Sequence, residues 1–136
     1  MRKVNNIVIH CTATSQSAKV ESILNYWKNN LGWKAPGYHR IIEADGTIHK
    51  LSDFAKPTNG VAGHNFDSIH ISYIGGIDAN NKPIDNRTAA QKKAILQCIS
   101  EARRFYPKAR ILGHRDFPKA AKACPSFDAV NEYKNV

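Results

Sequence analysis

The 136-residue sequence lacks long apolar runs and contains only three cysteines. No stretch approaches the ~20 consecutive apolar residues of a membrane-spanning helix, so we expect no membrane partner. The apolar run after the basic N-terminus is only Ile7-Val8-Ile9, too short for a secretion signal, and we expect synthesis in the cytoplasm without a signal peptide. The cysteines form no Cys-x-x-Cys pair, which excludes a disulfide scaffold and a zinc ribbon.

Acidic residues are also few, since Asp and Glu number 11 against 20 Lys and Arg, and the formal net charge is +9. Such an excess of positive charge favours a polyanionic partner, such as nucleic acid, an acidic membrane surface or an anionic cell-wall polymer. Hydrophobic residues make up 42% of the chain, as in ordinary globular proteins. The length is close to the ~150 residues of one domain, and we expect a single domain spanning residues 1–136.

Short apolar strands alternate with amphipathic helices along the chain. Strands are predicted at 7–9, 38–43, 47–51, 69–74 and 110–113, and helices at 18–31, from Thr88 until Pro107, and at 126–134. Asp45-Gly46 predicts a hairpin, Thr88 and Gln91 a capping box, and Ser126 a cap for the last helix. The stripes expected to face the core are Val20, Ile23, Leu24, Trp27 and Leu31 in the first helix, and Ala94, Ile95, Cys98, Ile99, Ala102 and Phe105 in the second. This order predicts an α/β fold, a single domain with a central mixed β-sheet flanked by helices.

Three residues that could carry chemistry stand far apart in the sequence. His10 and His114 each follow a short apolar strand, and strand ends in a mixed sheet can meet at one rim. Cys124 precedes Pro125, which favours an extended backbone, so Lys122 and Cys124 should face the same way. Two imidazoles and a thiolate form a three-ligand set of the kind that catalytic zinc uses, with the fourth position left to water.

Other interpretations of these residues are open at this point. No compact motif such as His-Glu-x-x-His is present, and spacing alone does not prove a metal site. An isolated histidine is usually a surface or core residue, and Cys124 could be a small buried hydrophobic residue, as we expect for Cys11 and Cys98. With zinc present, Lys122 is placed to bind the oxyanion of a tetrahedral intermediate, and a phenol such as Tyr38 could move a proton or donate a hydrogen bond.

Taken together, the motifs resemble one family that covers nearly the whole chain. The matching stretches occur in the family's order and are Ile7-Val8-Ile9-His10-Cys11-Thr12-Ala13-Thr14, Gly37-Tyr38-His39-Arg40-Ile41-Ile42-Glu43-Ala44-Asp45-Gly46-Thr47, Ser68-Ile69 through Tyr73-Ile74-Gly75-Gly76-Ile77-Asp78, Gly113-His114-Arg115-Asp116 and Lys122-Ala123-Cys124-Pro125-Ser126-Phe127-Asp128. The sequence thereby resembles the zinc-dependent N-acetylmuramoyl-L-alanine amidases of phage lysozyme type, which are related to peptidoglycan recognition proteins. The resemblance implies a central mixed sheet with flanking helices, in agreement with the pattern of predicted elements.

The resemblance also implies roles for individual residues. The implied zinc ligands are His10, His114 and Cys124, and the implied catalytic pair beside the metal is Tyr38 and Lys122. His64 lies in the polar loop before the fourth strand, where the family lines its substrate groove, and we expect it to contact substrate. In that loop a histidine is expected at Gly60, and His70 stands where a glycine is expected, which bears on how substrate is held. The interval between His114 and Cys124 is also slightly long, with residues 118–121 as the apparent insertion.

The residues and the resemblance together predict a zinc hydrolase that cleaves the amide between N-acetylmuramic acid and the L-alanine of the stem peptide. We expect a monomer that acts on the bacterial cell wall, with Zn²⁺ as cofactor and peptidoglycan as partner. Nucleic acid is not expected as a partner, because no helix-turn-helix, zinc-finger or RNA-binding motif accompanies the positive charge. The alternatives are a non-catalytic peptidoglycan-binding module on the same fold, a nucleic-acid binder inferred from charge alone, and a cysteine hydrolase with Cys124 as nucleophile.

Overall fold

The fold is a five-stranded mixed sheet with helices against it, as the sequence predicts. The structure, a computed structural model, describes residues 2–118, 120 and 122–136. The strands are β1 (Asn6–Cys11), β2 (Arg40–Ile42), β3 (Ile48–Lys50), β4 (Ser68–Tyr73) and β5 (Arg110–Gly113), in the order β3-β2-β4-β1-β5. Of the predicted insertion at 118–121, Lys119 and Ala121 lie outside the described residues.

Three of the four strand pairings are parallel. Strands β2, β4, β1 and β5 run in one direction, and β3 pairs antiparallel with β2 through the predicted Asp45-Gly46 hairpin. Parallel strands are usually covered on both faces, and every residue of β1 and β4 is buried. Because the four parallel strands end at the same edge, the residues that follow them share one rim of the sheet.

The two faces of the sheet carry different side chains. On one face Ile7, Ile9, Ile69, Ile71 and Tyr73 form a single apolar cluster with the inner side of helix α2 (Ala89–Phe105). The alternating residues of β4, among them His70 and Ser72, are fully buried on the opposite face. The polar side of the sheet therefore lies under the loops and the first helix, and it is the side on which His10 lies.

Helix α2 begins where the sequence predicts. Thr88 accepts a hydrogen bond from the backbone N–H of Gln91, and the Gln91 side chain accepts one from the backbone N–H of Thr88, which completes the capping box. Cys98 is buried in the core as expected. Phe105, the last residue of α2, is predicted in the apolar stripe but is 54% exposed, so this part of the prediction is wrong.

The first helix is shorter and less regular than predicted. Helix α1 spans Val20–Asn25, and residues Tyr26–Asn30 continue it as a π-helical turn. The helix begins at Val20 because its backbone N–H donates to the Glu43 carboxylate, 3.1 Å away. Two residues of the predicted apolar stripe are wrong, since Leu24 and Leu31 are exposed. The wider turn after Asn25 rotates the later positions, which takes Leu31 out of the 3.6-residue stripe.

The last helix differs from the prediction in both its cap and its length. Helix α3 spans Ala129–Glu132, and Asp128 rather than Ser126 caps it by accepting from the backbone N–H of Asn131. Ser126 instead donates its hydroxyl proton to the carbonyl of Gly76 over 2.9 Å. Ser126 therefore fastens the C-terminal segment to the loop after β4. Among the described residues, no helix has the length and apolar character to cross a membrane.

A buried guanidinium joins the C-terminal helix to the loop before α2. Arg87, whose side chain is only 1% exposed, lies 2.8 Å from Asp85 and 2.8 Å from Glu132. Its guanidinium carbon lies 3.4 Å from the centre of the Phe127 ring, an arrangement that favours a cation. The network holds α3 against the rest of the domain.

Replacing Arg87 with methionine is expected to lower the free energy of unfolding by about 1–3 kcal/mol at neutral pH, because two carboxylates lose charge-assisted hydrogen bonds. Hydrogen bonds from Arg87 lower the pKa of both Asp85 and Glu132. A carboxyl group whose pKa is lowered by folding stabilises the protein at pH values above its ordinary pKa of about 4. This stabilisation is lost as the pH falls through the lowered pKa. Urea unfolding between about pH 6 and about pH 2 should therefore show the two proteins converging in acid. A difference that stays constant with pH would contradict this account.

Candidate metal centre and catalytic cleft

Strand register brings His10 and His114 together although 104 residues separate them. Ile9 pairs with Gly113 across the parallel strands β1 and β5, so the residue that follows each of them is a histidine at the same rim. The two imidazole centres lie 5.0 Å apart in an edge-on arrangement. His10 is 1% exposed and His114 is half-buried.

Cys124 reaches the same point through hydrogen bonds to both neighbouring segments. The backbone N–H of Cys11 donates to Cys124 Sγ over 3.2 Å, and the backbone N–H of Arg115 donates to the Cys124 carbonyl over 2.8 Å. One bond ties the thiol to the end of β1, and the other ties its backbone to the turn that carries His114. The three predicted ligands therefore meet at one place.

The donor set fits a tetrahedral metal ion. One ligand atom from each of His10, His114 and Cys124 lies within 4.8 Å of the others, and Cys124 Sγ is 3.7 Å from His10 Nδ1. Bonds of about 2.0–2.3 Å around tetrahedral zinc separate the ligand atoms by roughly 3.5 Å. Two nitrogens and one sulfur are also the donor types that zinc accepts, and three protein ligands leave one position open.

Burial sets the protonation of the imidazoles. Burial holds the pKa of His10 well below its ordinary value, and His70, His114 and Lys122 lower it further. Burial also lowers the pKa of His114, again with help from Lys122. Both rings are therefore neutral near pH 7, which is the state in which an imidazole offers a lone pair to a metal.

The Cys124 thiol depends on a cation for its ionisation. A hydrogen bond with the Cys11 side chain and burial hold the pKa of Cys124 above its ordinary value. A coordinated metal ion deprotonates a thiol outright, so a metal held by Cys124 would bind its thiolate form with loss of a proton. Cys11 itself is 4% exposed and packs in the apolar cluster as predicted, and its thiol also contacts that of Cys124, which packs against the same cluster.

Tyr38 stands beside the candidate ligands. Its ring centre is 4.9 Å from that of His10, and its hydroxyl donates to the Cys11 carbonyl over 3.4 Å. Trp27 packs edge-on against the Tyr38 ring at 5.3 Å. A side chain at Gly37 would come within 2.9 Å of Trp27, so glycine at this position lets the indole lie against the backbone. Burial raises the pKa of Tyr38, and the phenol keeps its proton at neutral pH.

A cleft of about 620 Å³ opens next to the cluster, and both His114 and Lys122 line it. Lys122 is exposed, and its charge is close enough to lower the pKa of both candidate histidine ligands. His64 lines the same cleft, where its ring packs on Phe117 with 4.6 Å between centres. A second hollow of about 480 Å³ lies on the Tyr38 side. His64, His114 and Lys122 thus share one cleft, and Tyr38 lines a separate hollow beside His10.

His70 contacts the candidate ligands directly, although the sequence predicts no place for it among them. His70 pairs with Val8 in the sheet, so it lies on the same face as His10. His70 Nδ1 lies 2.8 Å from His10 Nε2. A Cβ on Gly60 would lie 2.3 Å from His70 Cγ. The two departures from the family pattern, Gly60 and His70, are therefore coupled, because the His70 ring occupies the space that a side chain at position 60 would need. Alternation along β4 was the signal that places His70 on this face.

Comparison with known proteins agrees with this arrangement. The profile of the N-acetylmuramoyl-L-alanine amidase family matches residues 1–127. The chain belongs to the N-acetylmuramoyl-L-alanine amidase family. The endolysin of Enterobacteria phage K11 is 38% identical over 128 residues, which cover 93% of this chain and 83% of the relative. The amidase is therefore a peptidoglycan hydrolase that cleaves the amide between N-acetylmuramic acid and L-alanine.

Relatives of two kinds share the amidase fold. The solved structure of an endolysin from a Thermus scotoductus bacteriophage superposes with a TM-score of 0.81 at 24% identity, covering 97% of this chain and 83% of that one. Peptidoglycan-recognition protein 1 of Holotrichia diomphalia is 26% identical over 141 residues, covering 98% of this chain and 70% of the relative. The α/β architecture predicted from the sequence is thereby confirmed.

Proposed function

We propose that this amidase is a zinc enzyme whose ligands are His10, His114 and Cys124. The observation that carries the proposal is the convergence of these three donors within 4.8 Å at the rim of the sheet, beside a phenol and an open cleft. When bound in such a site, zinc lowers the pKa of a coordinated water to about 7 and polarises a carbonyl oxygen. The Cys124 thiolate offsets one of the two positive charges, which increases the need for a further cation near the carbonyl.

Lys122 supplies that cation. Its ammonium lies at the wall of the cleft beside His114, where it stabilises the negative charge that develops on the carbonyl oxygen of the scissile amide. Stabilisation of this charge lowers the barrier because the charge is larger in the transition state than in the bound substrate.

Tyr38 acts at the same carbonyl from the other side. Its phenol is protonated at neutral pH because burial raises its pKa, so its oxygen donates a hydrogen bond rather than accepting a proton. In the balanced reaction a water oxygen bonds to the carbonyl carbon, the C–N bond to L-alanine breaks, and a water proton ends on the alanine nitrogen. Tyr38 and Lys122 hold the carbonyl during these changes.

The substrate lies in the cleft with its muramoyl-peptide junction against the three ligands. His64 lines the same cleft as His114, with its ring packed on Phe117, and it is expected to contact the bound substrate. We propose that residues 1–136 form one amidase domain, that it works as a monomer on the bacterial cell wall, and that peptidoglycan rather than nucleic acid is its macromolecular partner. The complete ligand set favours catalysis over a module that only binds peptidoglycan.

Two measurements on the same purified protein test this proposal: its zinc content by elemental analysis and its release of stem peptides from cell walls. The purified protein is expected to contain about one zinc per chain and to release stem peptides from purified peptidoglycan. A chelator should remove both zinc and activity, and stoichiometric zinc should restore them. Activity that persists in zinc-free protein would contradict the metal role and support a cysteine hydrolase. A protein that holds zinc and binds walls without releasing peptides would instead be a recognition module.

A further inference from the structure

A chain of three hydrogen bonds, the first of them buried, leads away from the candidate metal ligand His10. His10 Nε2 lies 2.8 Å from His70 Nδ1, and His70 Nε2 lies 2.9 Å from Asn65 Oδ1. The same Asn65 oxygen accepts from the backbone N–H of Val61 over 2.8 Å. His70 is fully buried and His10 almost so, so water does not compete for the bond between the two rings.

The backbone donor at the far end determines where each proton lies. A backbone N–H can only donate, so the Asn65 atom that faces Val61 is the amide oxygen, an acceptor. His70 Nε2 faces the same oxygen and must therefore carry a proton. In a neutral imidazole the other nitrogen is then unprotonated, and His70 Nδ1 is an acceptor.

The consequence reaches the metal ligand. Because His70 Nδ1 accepts, His10 Nε2 is the donor in the 2.8 Å contact between them. The lone pair of neutral His10 is then on Nδ1, the atom that lies 3.7 Å from Cys124 Sγ. The opposite tautomer of His10 would place its proton on Nδ1, toward the metal position, and leave Nε2 as an acceptor. Two acceptors would then face each other, either at the contact between His10 and His70 or, if His70 changed its tautomer too, at the contact between His70 and Asn65.

We propose that His70 is a positioning residue which, anchored by Asn65, holds His10 in the tautomer that presents Nδ1 to the metal. This inference rests on the proposed zinc function and adds a residue to it. A second hydrogen bond on the far nitrogen of a ligating histidine orients the ring and raises its basicity, and its loss typically weakens metal binding by 10–100-fold.

The local packing is built around this imidazole. The space that a side chain at Gly60 would need is filled by the His70 ring, since a Cβ there would lie 2.3 Å from His70 Cγ. On its other side the His70 ring is stacked on His39, with 6.0 Å between centres. The backbone N–H of His70 also donates to His39 Nδ1 over 3.0 Å. The ring is therefore fixed in position on both sides, as a residue that orients another must be.

The ring nitrogens of the metal-free wild-type protein give the first test. Long-range ¹H–¹⁵N NMR spectra should show both His10 and His70 as neutral rings protonated on Nε2. Assignment comes from spectra of single histidine variants. A His10 ring protonated on Nδ1, or one that exchanges between the two tautomers, would overturn the inference without any variant having to fold.

Zinc affinity, measured by competition with a chromophoric chelator, gives the second test. His70→Leu removes the acceptor and should weaken zinc binding by roughly 10–100-fold, and the metal-free variant should show His10 in mixed tautomers. His70→Asn places an amide oxygen where Nδ1 was and should recover most of the affinity. His49→Leu is the matched control, because His49 lies on β3 at the far edge of the sheet; it should bind zinc as the wild type does.

The outcomes separate this inference from the proposed function. Wild-type protein that binds no zinc would remove the proposed metal site, and the inference would fall with it. Tight zinc binding by the wild type and equally by His70→Leu would overturn the inference alone. Loss of affinity in His70→Leu with recovery in His70→Asn would support it, because a merely structural role for the ring would not depend on an acceptor at that atom.

Discussion

Replacing Cys124 with alanine is expected to remove zinc and to reduce release of stem peptides from purified walls by roughly 10³-fold or more. The thiol is one of three donors that converge within 4.8 Å, and two imidazoles alone hold zinc much more weakly than the full set. The measurement is zinc content by elemental analysis together with the initial rate of peptide release at matched protein concentration.

The matched control for this variant is Cys98→Ala. Cys98 is also a buried thiol, but it lies on α2 in the apolar core, away from the ligands. The Cys98→Ala variant should keep its zinc and its wild-type rate of peptide release, while the cavity left by the thiol lowers its stability slightly. Pelleting with insoluble walls should still capture Cys124→Ala, because the cleft residues are unchanged. A Cys124→Ala protein that still cleaves walls would show that the thiol is not needed.

Replacing Tyr38 with phenylalanine is expected to lower kcat by about 10²–10³-fold, the usual cost of removing one donor from a developing oxyanion. The ring that packs 4.9 Å from His10 and 5.3 Å from Trp27 remains in the variant, so zinc content and KM should change little. Steady-state kinetics on a soluble muramoyl-peptide, with zinc measured on the same samples, checks both statements.

Tyr106→Phe provides the matched control for the loss of a phenol hydroxyl. Tyr106 is buried after the end of α2, on the side of the domain away from the ligands, and its variant should have the wild-type kcat. If Tyr38→Phe retained full kcat, Tyr38 would act only as a wall of the site. If it lost zinc as well as activity, its role would be to support the ligands rather than the carbonyl.

The sequence predicts most of the fold because local signals and core packing agree. The β-branched run before His10 and the strand before His114 are both present, and the Thr88 capping box is formed as expected. These features depend on residues within a few positions of one another. Convergence of the two histidines at one rim follows once the strands are parallel and neighbouring, which the order of elements favours.

Other features could not be predicted because they depend on contacts distant in sequence. The start of α1 depends on the carboxylate of Glu43, which follows the end of β2. Asp128 rather than Ser126 caps α3, because the Ser126 hydroxyl donates to the carbonyl of Gly76. His70 is a further example. Its strand position predicts which face it lies on, but its contact with His10 depends on the register of two strands 60 residues apart.

The meeting of residues 10, 114 and 124 at the candidate metal centre has a consequence for the timing of activity. Cys124 Sγ is hydrogen-bonded to the backbone of Cys11, 113 residues earlier, and β5, which carries His114 to the rim, lies at the edge of the sheet. A nascent chain therefore has one of the three proposed ligands until residue 114 has been added, and it has the full set only after residue 124. Fragments left by interrupted translation before residue 124 would be unable to digest the wall of the cell that makes them.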